Sequence, residues 1–141
     1  MIYFAKITKQ SHECFLVEFP ELDGCFTEGK SIEEALKHAK VALDVWLESH
    51  CDREINIPEP ENRRGQTYHA IEVDLQLSFA IMLRKLRKKK RLTQALMAQR
   101  IGISQQAYAK LEIPSKSNPS LKTVDKISKA LGIQLTFNLA A

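Results

Sequence analysis

The chain has 141 residues, 44% of them hydrophobic and 27% charged, a composition typical of a soluble globular protein. No stretch approaches the roughly 18 consecutive apolar residues of a membrane span, no secretory signal is visible, and the three cysteines form no CxxC pair. The net charge of +4 conceals two opposite halves, since residues 1–70 are net −5 and residues 71–141 are net +9. These features predict a cytoplasmic protein of two domains, of which the basic one is a candidate for nucleic-acid binding.

The first half begins with strand patterns. Residues 2–7 and 15–19 are rich in aromatic and β-branched side chains, and the polar residues 9–12 between them predict a hairpin turn. The Asp-Gly pair at residues 23–24 predicts a second turn, which leads into a short third strand at residues 25–27.

A long helix is predicted from residue 32 to about residue 49. Ser31 and Glu34 fit a capping box, in which each side chain satisfies a backbone donor at the helix start. Apolar residues recur at helical spacing at Ile32, Ala35, Leu36, Ala39, Leu43, Trp46 and Leu47. Residues 56–67 are expected to form a loop and residues 68–73 a last strand. The first half is therefore predicted to be a small three- or four-stranded sheet covered by one long helix.

A proline–acidic–x–x–Gly–Cys stretch, a turn and a Ser-capped helix follow one another in residues 20–43. In this order they resemble the HicB antitoxin family, and the resemblance implies a truncated ribonuclease-H-like fold that has lost its catalysis. The residues are consistent with a loss of catalysis, because a metal-dependent ribonuclease needs several carboxylates around two Mg²⁺ ions and the first strand contains none. We therefore expect no enzyme activity, no metal site and no cofactor. An RNA-processing enzyme would need those missing carboxylates.

From Leu75 the pattern becomes helical, and its apolar face is followed by a dense basic run. The run comprises Arg84, Lys85, Arg87, Lys88, Lys89, Lys90 and Arg91. A solvated helix end would explain some of these cations, since they suit the C-terminal end of a helix dipole. Their density favours a surface that faces phosphates.

Two short helices are predicted next, one capped by Thr93 and one capped by Ser104, with Gly102 supplying a left-handed turn between them. A further helix is predicted from residue 121 to residue 131. The run of residues 92–133 resembles the Cro/repressor-type helix-turn-helix family. The second half is accordingly predicted to be an all-α DNA-binding domain, so that the whole chain belongs to the α+β class.

The resemblance implies that the start of the second helix reads base edges in the major groove. Carried onto this sequence, the DNA-binding residues at the start of this helix are Ser104, Gln105 and Gln106. The two glutamines are the base readers, because a glutamine amide can pair with adenine N6 and N7. Phosphate contacts are predicted for Gln94, Lys110, Lys116 and Ser117.

Residues 134–139 place Leu135, Phe137 and Leu139 on one face of an extended segment. This alternation predicts a strand that pairs with a second copy of the chain or with the first helix, because a free strand would expose an unpaired edge. A frayed tail is the alternative.

Together the two resemblances predict a toxin-binding domain at residues 1–74 and a DNA-binding domain at residues 75–141. They imply a HicA-type toxin as the partner, a small basic ribonuclease with a double-stranded-RNA-binding fold, which the antitoxin neutralises while it represses their shared operon. A homodimer or a higher even oligomer is expected, and the residues that contact the toxin are not identified. The alternative is a stand-alone transcriptional repressor whose first domain senses a ligand or dimerises.

Overall fold

A computed structural model describes residues 1–139, and the chain divides into two compact units, Met1–Ser78 and a second that begins at Phe79. The first unit is a sheet with one long helix and the second unit is helical, which confirms the predicted α+β class. The division lies within a helix that begins at Leu75, close to the predicted boundary at residue 74. Among the described residues, no helix is long and apolar enough to cross a membrane.

Within residues 1–139, four strands form one antiparallel sheet in the order β3-β2-β1-β4. Their bounds are Ile2–Ser11 (β1), Cys14–Glu18 (β2), Phe26–Gly29 (β3) and Tyr68–Glu72 (β4). The predicted hairpin between β1 and β2 is confirmed, but its turn is shorter than residues 9–12, because β1 continues to Ser11 and Lys9 pairs with Phe15. Pairing with β2 supplies ladder hydrogen bonds to residues whose polarity suggested a turn.

One face of the sheet packs against helix α1, Ile32–Asp52. Alternate β1 residues Tyr3, Ala5 and Ile7 are buried, as the period of two in a strand requires. The buried residues of α1 recur every fourth position and are Ala35, Ala39, Leu43, Leu47 and Cys51. The first unit therefore has one core between the sheet and the helix.

The predicted start of α1 is confirmed, and its position is set by two local features. The Ser31 hydroxyl accepts a hydrogen bond from the Glu34 backbone, and the Glu34 carboxylate accepts one from the Lys30 backbone. At Gly29, an added Cβ would lie 2.4 Å from the Ala35 nitrogen. Only glycine permits this approach of β3 to the first turn of α1.

The second unit is built from helices packed on a shared core. The helices are α2 (Leu75–Lys89, which begins in the first unit), α3 (Gln94–Ile101), α4 (Gln105–Leu111) and α5 (Leu121–Leu131). Thr93 and Ser104 cap α3 and α4 as predicted, and Gly102 adopts the predicted left-handed conformation with φ 74°. The core residues are Leu83, Met97, Ala98, Ile101, Tyr108, Leu111, Ile127 and Leu131.

The predicted strand at residues 134–139 is wrong for the single chain. Residues 133–139 belong to no helix or strand, and within the described residues the second unit has no strand with which they could pair. A strand needs a neighbour for its ladder hydrogen bonds, so the alternating pattern alone cannot form one. Leu135, Phe137 and Leu139 are 42%, 73% and 98% exposed, and their pairing with a second copy stays a prediction.

Candidate nucleic-acid interface

Helix α4 presents the two predicted base-reading residues to solvent. Gln105 and Gln106 are its first two residues, and both are exposed. The Ser104 hydroxyl fixes the helix start by accepting a hydrogen bond of 3.0 Å from the Ala107 backbone. Tyr108 and Leu111 face the core, so the opposite side of the helix remains available to a ligand.

The other predicted phosphate contacts differ in accessibility. Lys110 and Lys116 are exposed, as a contact to DNA requires. Ser117 is 1% exposed, and its buried hydroxyl has no hydrogen-bond partner among residues 1–139. A buried hydroxyl cannot contact a phosphate, so Ser117 is left out of the interface.

Gln94 begins α3 and is held by a side chain from another helix. Its Nε2 atom donates a hydrogen bond of 3.1 Å to Oε2 of Glu112, the C-cap residue that follows α4. An amide nitrogen carries two hydrogens, so one donor of Gln94 remains for a phosphate. The contact orients the side chain predicted to hold that phosphate.

Glu112 is the centre of a buried polar cluster that the sequence reasoning missed. Its carboxylate is 1% exposed and accepts hydrogen bonds from Arg87 Nε at 2.6 Å, Arg87 Nη2 at 2.9 Å and Tyr108 Oη at 2.9 Å. Burial raises the pKa of Glu112, but the hydrogen bonds from Arg87, Gln94 and Tyr108 outweigh it and hold the pKa below its usual value. The carboxylate is therefore ionised inside the unit, opposite a guanidinium.

Two members of the basic run are turned into this cluster, so the surface predicted to face phosphates does not include them. The side chains of Arg84 and Arg87 are 13% and 11% exposed, and Arg84 Nη2 lies 3.4 Å from the Glu112 carbonyl oxygen, to which it donates. A buried carboxylate needs paired cations, and these two arginines supply them. The members that remain exposed are Lys88, Lys89, Lys90 and Arg91.

The histidine, cysteine and acidic side chains of residues 1–139 were candidates for a metal site. Among residues 1–139, no group of three or more histidine, cysteine, aspartate or glutamate side chains could hold a metal ion. Cys14, Cys25 and Cys51 are free thiols.

Two family models match the chain, and they overlap in α2. The model described as the HicB-like antitoxin of bacterial toxin–antitoxin systems matches residues 3–93, and a helix-turn-helix model matches residues 83–138. Antitoxin HicB 1 of Photorhabdus laumondii is 29% identical over 125 residues, which are 89% of this chain and 78% of that protein. Antitoxin HicB of Escherichia coli K12 is 29% identical over 141 residues, covering 96% of this chain and 97% of that protein.

A chain in the solved HicA3 and HicB3 toxin–antitoxin complex is also similar, with 27% identity and a TM-score of 0.45, covering 52% of this chain and 99% of that chain. The antitoxin model covers more than half of the present chain, and the helix-turn-helix model covers α3, α4 and α5. The chain therefore belongs to the HicB-like antitoxin family, and its second half is a helix-turn-helix domain.

Proposed function

We propose that this chain neutralises a HicA-type toxin through its first unit and represses the operon that encodes both proteins through its second unit. The observation that carries the proposal is the similarity to Antitoxin HicB of E. coli over 96% of this chain, because one antitoxin matches both units together. The charges support the same division: the acidic residues 1–70 suit a basic ribonuclease, and the basic residues 71–141 suit DNA. We expect the activity in the cytoplasm, because the proposed operator DNA and the RNA substrate of the proposed partner are both found there.

The DNA-binding part of the proposal rests on α4. In a helix-turn-helix domain the first residues of the second helix contact base edges, and here those positions hold the exposed amides of Gln105 and Gln106. Gln94, Lys110 and Lys116 are proposed to hold phosphates, contacts that position the protein without reading the sequence; the hydrogen bond of Gln94 to Glu112 and the exposure of both lysines support this.

A second copy of the chain is part of the proposal. One helix-turn-helix domain reads only a few base pairs, and related domains bind as dimers to half-sites about one helical turn apart. The exposed Leu135, Phe137 and Leu139 support pairing between copies, since three large apolar side chains at alternate positions are otherwise left in water. The proposed species is a homodimer or a higher even oligomer.

Neutralisation is tested by expressing the chain together with the product of the neighbouring gene, which the proposal expects to be the toxin. We expect the full chain to restore growth and to copurify with the toxin. Residues 1–78 are expected to do the same without binding DNA, because the toxin contact is proposed to lie in the first compact unit. Growth after toxin induction and a pull-down of the tagged chain are the measurements.

The matched control is a fragment of residues 79–141, which should bind DNA and leave the toxin active. If the full chain neither binds the toxin nor restores growth, the proposed function is wrong and a stand-alone repressor is the better description. If the full chain neutralises the toxin and the fragment of residues 1–78 does not, while circular dichroism shows that fragment folded, the toxin contact extends beyond the first unit.

Replacing Gln106 by alanine should weaken binding to the cognate operator by about 1–3 kcal/mol and leave binding to random DNA nearly unchanged. The reason is that a base contact discriminates between sequences, whereas phosphate contacts do not. Fluorescence anisotropy with both duplexes measures the two affinities.

Gln99 supplies the matched control, because it is an exposed glutamine of α3 outside the start of α4. Gln99→Ala is expected to leave both affinities unchanged. Equal losses on operator and random DNA in Gln106→Ala would show that Gln106 does not read a base.

A further inference from the structure

Within residues 1–139, helices α2, α3 and α5 of the helix-turn-helix half end in the same backbone motif. A residue just past the helix is left-handed; it follows α3 and α5 directly and follows α2 after one intervening residue, Lys90. Its N–H donates to the carbonyl three residues back, and the next N–H donates to the carbonyl five residues back. In α3 and α5 the left-handed residue is glycine, Gly102 with φ 74° and Gly132 with φ 64°. In α2 it is Arg91, with φ 55° and hydrogen bonds of 2.9 and 3.1 Å.

The arginine is the unfavourable choice for this backbone. In the left-handed conformation a side chain crowds its own peptide, so a residue other than glycine is strained there. The same fold accepts glycine at the two equivalent positions, and nothing about the motif itself requires a long cation. Strain that a structure retains is a reason to look for a function of the side chain.

The motif holds Arg91 at the entrance to α3. Arg91 is exposed and lies two residues before Thr93, the cap of α3, so the two Cα atoms are at most about 7 Å apart. The turn is fixed from inside, because Arg87 Nη1 donates a hydrogen bond of 2.8 Å to the Leu92 carbonyl while Arg87 also pairs with Glu112. Arg91 is thus an exposed cation on a rigid turn beside Gln94, the proposed phosphate contact that begins α3.

We propose that Arg91 binds a DNA backbone phosphate next to the one held by the start of α3. The inference rests on the proposed DNA binding and adds a contact to it. A guanidinium can donate two parallel hydrogen bonds to phosphate oxygens, which lysine cannot do. Three exposed lysines precede Arg91, so a phosphate also relieves repulsion within the turn. The contact carries no sequence information.

The test compares full-length wild type with Arg91→Gly, Arg91→Asn and Arg91→Lys. The probes are a random-sequence duplex and the duplex upstream of the chain's own gene. Arg91→Gly and Arg91→Asn should each weaken binding to the two duplexes by the same factor. In a dimer two phosphate contacts disappear, so the ratio of wild-type affinity to variant affinity should fall by about tenfold between 50 and 200 mM salt. Arg91→Lys should retain most of the salt dependence.

Glu54 provides a matched control for the backbone strain. It ends α1 in the same motif, with φ 57° and hydrogen bonds of 3.1 and 2.9 Å, but it lies in the first unit. Glu54→Gly relieves the same strain and should leave the salt dependence of DNA binding unchanged. Both glycine variants are expected to keep or raise the midpoint of thermal unfolding.

An unchanged salt dependence in both Arg91→Gly and Arg91→Asn overturns the inference, whatever their thermal stability. Arg91 would then serve only as a cation at the C-terminal end of α2. If the wild-type chain binds neither duplex at any salt concentration, the proposed function fails together with this inference. If the wild-type affinity falls steeply with salt and the variants show the same slope, the proposed function stands and only the Arg91 contact is wrong.

Discussion

Replacing Glu112 by glutamine is expected to cost the second unit about 3–5 kcal/mol of folding free energy, the range for breaking a buried ion pair. The amide cannot balance the charge of Arg87, whose side chain is 11% exposed and would remain buried without a counterion. Tyr108 and Gln94 would also exchange a charged acceptor for a neutral one. Since small domains are stable by only about 5–15 kcal/mol, this single change should bring the unit close to unfolding.

Urea unfolding followed by far-UV circular dichroism measures the loss, and the chain offers two controls. Trp46, the single tryptophan, lies in the first unit, so its fluorescence should be unchanged if the damage is confined to the second. Asp125→Asn removes a carboxylate from an exposed pair with Lys129 and should cost at most about 1 kcal/mol. Similar small losses in both variants would show that the buried pair contributes little.

The same carboxylate makes the second unit sensitive to acid. The pKa of Glu112 is below its ordinary value in the folded unit, because its hydrogen bonds outweigh the effect of burial. The folded unit therefore binds this proton less readily than the unfolded chain does. Its stabilisation is present above the ordinary carboxyl pKa and is lost as the pH falls through the lower, folded pKa. The difference in stability between wild type and Glu112→Gln should accordingly shrink on acidification.

Features set by neighbouring residues could be predicted from the sequence, and those set by distant contacts could not. Ser31, Thr93 and Ser104 cap their helices through hydrogen bonds to residues three positions ahead. The end of β1 depends instead on pairing with β2, which extends the strand through polar residues. The exposed Gln105 and Gln106 follow from the helical period, whereas the burial of Ser117 depends on how its loop packs.

Glu112 illustrates a signal that was present in the sequence but not used. It is the single acid between Asp74 and Asp125, and it lies four residues after the core residue Tyr108 on the same helix face. An isolated carboxylate in a basic stretch, at a position that continues a buried face, predicts an internal ion pair. What the sequence could not show is which cations of the run would turn inward, since that depends on how α2 packs against α4.

Operator binding is expected to weaken by about 10³–10⁵-fold between 50 and 200 mM salt, because neutralising each phosphate releases counterions from the DNA. Arg84 and Arg87 are engaged by Glu112, so the contacts must come from the exposed cations. Those beside α3 and α4 are Lys88, Lys89, Lys90, Arg91, Lys110 and Lys116. If about three to five of them engage in each chain, a dimer neutralises about six to ten phosphates, which gives the stated loss.

Titrating a palindromic operator at several salt concentrations, with the mass of the complex measured by light scattering, tests the slope and the stoichiometry together. Neutralising Lys88, Lys89 and Lys90 to glutamine should make the slope shallower if the turn after α2 faces DNA. The matched control neutralises Lys126 and Lys129, exposed cations of α5 outside the proposed interface, and should leave the slope unchanged. A salt-insensitive complex with one chain per operator would contradict both the phosphate surface and the dimer. A steep slope that the Lys88–Lys90 changes do not alter would leave the dimer intact and assign the phosphate contacts to Arg91, Lys110 and Lys116.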